Sequence, residues 1–155
     1  MSQNNKKYIV PAIVGVGLVL FSILPLTLDL YHRFNHFDKL LHLSGGIIVA
    51  WFFSRYMSDE LKQFHSTSSL RGDSVESGQA AKLKTLLILT AVACLVGVFW
   101  EFAEYLSSTY GPAYAPIIYR HFFIGDLADT LGDMLADIIG GFVFALCYIY
   151  KKRYK

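Results

Sequence analysis

Four stretches of about twenty mainly apolar residues, at 8–28, 39–56, 83–106 and 127–150, constrain this chain more than any other feature. Each is close to the length that a helix needs to cross a hydrocarbon core about 30 Å thick. A soluble domain of 155 residues rarely carries 54% hydrophobic and 15% aromatic residues against 17% charged. The reading is all-α: a polytopic membrane helix bundle of about four transmembrane helices, forming one membrane domain over residues 1–155. Segment two is the shortest. Pro11 and Pro25 sit near the ends of segment one, where few backbone hydrogen bonds are lost. Lys6 and Lys7 precede that segment as they would a signal peptide, but its apolar run is too long and no small-residue cleavage site follows.

Orientation follows from the basic residues in the connections. With the amino terminus in the cytoplasm, the inner side holds Lys6, Lys7, Arg55, Lys62, Arg71, Lys82, Lys84, Lys151, Lys152, Arg153 and Lys155. The outer side holds only Arg33, Lys39 and Arg120 of the 14 Lys and Arg. Both termini are therefore expected inside, which an even number of spans requires. The basic tail is a topology anchor, with Tyr148, Tyr150 and Tyr154 at the same interface. A net charge of +2 without a basic face excludes a nucleic-acid partner; membrane lipids are the expected neighbours. Cys94 and Cys147 lie inside apolar runs and are expected to pack rather than to form a disulfide. The inner connection, about 58–81, is rich in Ser, Gly, Asp and Gln without apolar periodicity, and is expected to be a flexible cytoplasmic loop. The outer connection, 107–125, has Gly111, Pro112 and Pro116 among aromatics and is expected to cap the membrane surface.

Ionisable residues interrupt three of the four apolar segments: His42 in segment two, Glu101 and Glu104 in segment three, and Asp129, Asp133 and Asp137 in segment four. An Asp near the bilayer centre costs roughly 2.5 to 3.5 kcal/mol on insertion scales, so these side chains should face the bundle interior. Helical geometry agrees. At about 100° per residue, Asp126, Asp129, Asp133, Asp137 and Gly140 share an arc of roughly 80°, and so do Thr90, Cys94, Gly97, Glu101 and Glu104. Asp38 and His42 stand one turn apart on segment two, with Gly45 and Val49 expected to continue their face. Because neighbouring segments alternate in direction, Asp38, His42, Glu101, Glu104, Asp129 and Asp133 should all reach the outer half of the bundle, with Asp137 near mid-depth.

Carboxylates so close together need compensation, since like charges in a low dielectric repel. Protons, the outer cations Lys39 and Arg120, or a bound cation can supply it. An oxygen-rich set with one imidazole suits Mg²⁺, Mn²⁺ or Ca²⁺ better than Zn²⁺, which prefers more His or Cys. The candidate ligands are Asp38, His42, Glu101, Glu104, Asp129 and Asp133, and the candidate catalytic groups among them are Glu101, Asp129 and Asp133. Three readings stay open: a divalent-cation site, a structural network of shared protons and ion pairs, and a proton or ion pathway. His32, His36 and His121 are expected at the outer surface, and Trp51 and Trp100 as packing or interfacial aromatics. The sequence offers no nucleophile with an adjacent base and no Gly-rich phosphate loop.

The runs His36-Phe37-Asp38-Lys39-Leu40-Leu41-His42, Trp100-Glu101 and Gly125-Asp126-Leu127-Ala128-Asp129-Thr130-Leu131-Gly132-Asp133-Met134 resemble the YjdF-like family of uncharacterised bacterial inner-membrane proteins. Asp38-Lys39-x-x-His42, with Asp133-x-x-x-Asp137-x-x-Gly140, also resembles the VanZ-like membrane proteins, where the last acidic position is commonly Asn. The resemblance runs from segment two to the end of the chain and implies a multi-pass protein of the inner (plasma) membrane. It carries over Asp38, His42, Glu101, Asp129 and Asp133; Asp137 departs from the pattern, and its place in the site stays open. The VanZ-like relatives imply a connection with cell-envelope glycopeptide resistance.

The functional expectation is an outer-facing intramembrane carboxylate and histidine site serving a metal-assisted enzyme that acts on an envelope lipid or lipid-linked headgroup. The alternatives are a proton- or cation-coupled transport component and a non-catalytic membrane scaffold.

Overall fold

A computed structural model of the full chain describes residues 9–17, 20, 36–69, 76–114 and 126–151. Every element among these is a helix. We number them α1 (residues 9–17), α2 (Phe37–Tyr56), α3 (Ser58–Ser69), α4 (Glu76–Tyr114) and α5 (Leu127–Lys151). The described residues hold two helices long and apolar enough to cross a membrane, at Gly78–Ser107 and Leu127–Lys151. At 20 residues α2 is about 30 Å long, but Asp38, Lys39 and Arg55 lower its apolarity. Segment one is described only in part, as the helical residues 9–17 and 20.

Local chemistry sets the helix ends. Asp38 in the first turn of α2 and Arg55 in its last turn both oppose the helix dipole. The single turn residue Met57 links α2 to α3: its N–H donates to Phe53 O at 2.8 Å, and its own carbonyl accepts Leu61 N–H at 2.9 Å. At the start of α5 the Asp126 carboxylate accepts the Asp129 N–H at 2.9 Å, an N-cap bond.

Two expectations change here. The stretch 58–81 is not a continuous loop, because it is helical over Ser58–Ser69 and again from Glu76. Asp59 and Glu60 favour the start of α3 through the helix dipole, and Leu61 anchors it by burying its whole side chain. The stretch 107–125 begins as a continuation of α4 through Tyr114, and 115–125 lies outside the described residues.

Helices α2, α4 and α5 pack together. Contacts at Lys39 with Asp129 and at Gly46 with Asp137 make α2 and α5 parallel, while Gly97 beside Asp137 and Ala93 beside Gly141 make α4 antiparallel to α5. The buried positions step by four: His42, Gly46, Ala50 and Ser54 on α2; Ala81, Thr85, Leu89, Ala93 and Gly97 on α4; Asp133, Asp137, Gly141 and Ala145 on α5. Gly46 and Ala50, rather than Gly45 and Val49, therefore continue the His42 face. A Cβ on Gly46 would collide with the Asp137 carbonyl, and one on Gly140 with the Leu43 carbonyl, so the α2–α5 approach requires glycine at both. Gly15 of α1 faces Ile48 of α2.

The bundle has unlike ends. Ala50, Leu61, Leu89 and Ala145 form the apolar core at one end, with Phe53, Met57, Leu86, Phe144 and Tyr148 around it. Outward positions such as Leu87, Leu95, Phe99, Phe102, Leu131, Leu135, Ile139 and Phe142 are exposed and apolar, as a lipid-facing surface requires. The buried Ser54 and Thr85 return their hydroxyls to carbonyls three or four residues earlier in their own helices, which lowers the cost of burying them.

Candidate functional site

The opposite end is polar because of helix direction. Asp38, Lys39 and His42 lie in the first two turns of α2, and Asp129, Asp133 and Asp137 lie on successive turns of the parallel α5. Antiparallel α4 brings Glu101 and Glu104 to the same level late in its length.

His42 is the hub, with its side chain only 6% exposed. Its Nδ1 lies 2.9 Å from Asp137 Oδ2, a buried hydrogen bond. Its Nε2 faces Glu101 Oε1 at 3.6 Å and Asp38 Oδ1 at 4.0 Å. Asp38, His42 and Asp133 each offer a ligand atom, and the three atoms lie within 4.8 Å of one another. Glu101 Oε1 is buried and has no hydrogen-bond partner among the described residues. Its carboxylate is the natural fourth arm, since the contact to His42 is too long for a hydrogen bond.

Lys39 supplies fixed positive charge. Its ammonium donates to Asp129 Oδ1 at 2.7 Å and to Asp133 Oδ1 at 3.4 Å. It reaches both by lying across Gly132, where a Cβ would come within 3.1 Å of Nζ.

The six candidate ligands thus fall into two groups. Asp38, His42 and Asp133 converge on one point, with Glu101 beside His42. Asp129 is engaged by Lys39, and Glu104 accepts the Trp100 indole N–H at 2.8 Å, one turn back along α4. Trp100 therefore has a polar partner inside the bundle as well as a packing role. Asp137 is the residue that sequence reasoning left open; its signal was the i, i+4 step from Asp133 together with glycines on both neighbouring helices. Asp126 and His36 are exposed, while His32, Arg120 and His121 lie outside the described residues. Cys94 is half-buried, but Cys147 is exposed on the apolar surface rather than packed in the core.

Chemically, one imidazole nitrogen and carboxylates from three helices surround a point from which lipid is excluded. Such a set can hold a hard divalent cation, share protons, or pass them on.

A family model described as "Predicted membrane protein (DUF2238)" matches residues 8–153. The chain belongs to the DUF2238 family. An uncharacterized protein of Thermotoga maritima is 23% identical over 137 residues, which cover 88% of this chain and 59% of that protein. The DUF2238 chain therefore spans less than two thirds of that relative's length. No solved structure matches it. The match covers α2, α4 and α5 in full, so every residue of the polar cluster lies inside the DUF2238 region.

Proposed function

We propose that this DUF2238 protein holds a divalent cation, Mg²⁺, Mn²⁺ or Ca²⁺ in preference to Zn²⁺, between Asp38, His42, Glu101 and Asp133. The site opens at the outer end of a four-span inner-membrane bundle with both termini in the cytoplasm, and it serves a reaction on an envelope lipid or lipid-linked headgroup. One observation carries the reading: the ligand atoms of Asp38, His42 and Asp133 lie within 4.8 Å of one another, beside a buried Glu101 oxygen that no hydrogen bond satisfies among the described residues. A buried anionic oxygen without a hydrogen bond is costly, and a cation placed there lowers the cost. A bound ion would polarise a phosphoryl oxygen or activate water. Lys39 and Asp129 lie at the more exposed edge of the cluster, where the ammonium can meet an anionic headgroup. The YjdF-like and VanZ-like resemblances add a link to the cell envelope.

A second reading has its own support. Asp38, His42 and Asp137 form a series of ionisable groups leading from the α2 terminus into the bundle, as a proton or cation pathway needs.

The test is stability of purified protein in mild detergent against Mn²⁺ or Mg²⁺. If the folded state alone binds the ion, each tenfold increase above the dissociation constant adds about 1.4 kcal/mol, and the melting temperature climbs with the logarithm of concentration. Asp133→Asn should flatten that dependence and leave membrane insertion intact. A protein that binds no divalent ion and gains stability from Asp133→Asn overturns the cation site. Turnover lost in Asp133→Asn with the fold intact identifies an enzyme; ion flux lost in vesicles identifies a transport component.

A further inference from the structure

We infer that Asp137 is a positioning residue for His42: its carboxylate fixes the imidazole so that Nε2 turns toward Asp38 and Glu101, and Gly97 of α4 omits a side chain to make room for it. The inference rests on the cation reading above and adds a residue and a mechanism to it.

Three observations converge. The Nδ1–Oδ2 contact of 2.9 Å is the shortest that His42 makes among the described residues, and the two side chains are 6% and 8% exposed, so water does not compete for it. Nδ1 is the nitrogen with an acceptor at hydrogen-bond distance, so an N–H belongs there. Nε2 faces Glu101 at 3.6 Å and Asp38 at 4.0 Å, both beyond hydrogen-bond length, and is the nitrogen left for an ion. An imidazole that donates one N–H to a carboxylate and presents the other nitrogen to an ion is the usual arrangement of a metal-binding histidine, and the carboxylate partner also raises its basicity.

The third observation is independent of charge. On α4, a Cβ at Gly97 would strike the Asp137 carboxylate itself, whereas the Gly46 contact is with the Asp137 main chain and belongs to the α2–α5 approach. Glycine in a helix interior is unfavourable by roughly 0.5 to 1 kcal/mol relative to alanine, so Gly97 against that carboxylate needs a reason. Room for the Asp137 side chain supplies it. Asp137 has no room to turn away from His42 on the Gly97 side.

The experiment combines two readouts on the full chain in detergent. The first is ¹⁵N NMR of metal-free, histidine-labelled protein, with His42 assigned by its loss in His42→Gln. The expected spectrum has a proton on Nδ1. The second is Mn²⁺ affinity, for which Asp137→Asn should lose about 10- to 100-fold. Gly97→Ala, which removes no charge and no ligand, should weaken binding in the same direction, while Gly78→Ala, whose Cβ would meet nothing within 4 Å, should leave it unchanged. A His42 unprotonated on Nδ1 in the wild-type spectrum overturns the inference even if every variant fails to fold. So does Asp137→Asn binding Mn²⁺ as tightly as wild type. A wild-type protein that binds no Mn²⁺ but has the Nδ1 proton overturns the cation reading instead, so the two failures are distinguishable.

Discussion

Lys39 spends its single charge on two carboxylates of unequal exposure, Asp129 at 28% and Asp133 at 5%. Replacing it by methionine keeps the stem and removes the ammonium, which leaves the buried Asp133 without that compensation. Because Lys39 is itself 36% exposed, solvent screens part of the loss, and Lys39→Met should cost about 1 kcal/mol in detergent unfolding of the metal-free protein. Saturating Mn²⁺ should shrink that deficit, since the ion supplies the missing charge; a deficit unchanged by Mn²⁺ contradicts a shared site. Glu101 makes the opposite case. Its Oε1 is buried without a hydrogen bond, so Glu101→Gln relieves a charge in low dielectric and should stabilise the metal-free protein by about 1 kcal/mol while weakening the response to ion. If Glu101→Gln destabilises the metal-free protein, that carboxylate already has a compensating partner.

Helix contacts follow the rows of positions spaced by four, and small residues along them set how closely helices approach. Gly140→Ala should therefore cost about 1 to 3 kcal/mol, because its Cβ would meet the Leu43 backbone, which cannot rotate away. Gly78→Ala faces open space and should be neutral, or stabilise α4 by about 0.5 to 1 kcal/mol through helix propensity. Equal melting temperatures for the two variants would rule out the close α2–α5 packing. Helix α3 is held differently, by one fully buried leucine among Ala50, Leu89 and Ala145. Leu61→Ala should cost about 2 to 3 kcal/mol and open α3 to proteolysis before the rest of the chain. Simultaneous cleavage throughout would instead mean that α3 unfolds with the bundle.

At the level of the whole molecule, an apolar core lies toward one end and the charged cluster toward the other, surrounded by outward-facing Leu, Ile, Val and Phe. The proposed topology, drawn from the distribution of Lys and Arg, puts the apolar end in the cytoplasm and the cluster on the outer side. A reporter after Lys155, or near Ser69, should then be cytoplasmic, and one near Tyr114 external. An external carboxyl terminus removes both the four-span count and the outward opening of the site.

The sequence by itself determined the helical class and the bounds of α2 and α5 to within a residue or two, because apolar length and periodicity are local properties. It also placed Asp38, His42, Glu101 and Asp133 at one level, since alternating helix direction carries them there. Tertiary structure decided the rest. Whether Gly45 or Gly46 follows His42 into the interface depends on which row meets α5, and a step of three or four looks alike along one helix. Lys39 had several acids within reach of its flexible stem, and only the spacing of α2 from α5 selects Asp129 and Asp133. Asp137 shared its stripe with the other acids, but its bond to His42 and its fit against Gly46 and Gly97 join residues 40 to 95 positions apart. The polar run 58–81 looked like a loop because the anchor of α3 is a single leucine, too sparse a signal for periodicity to register.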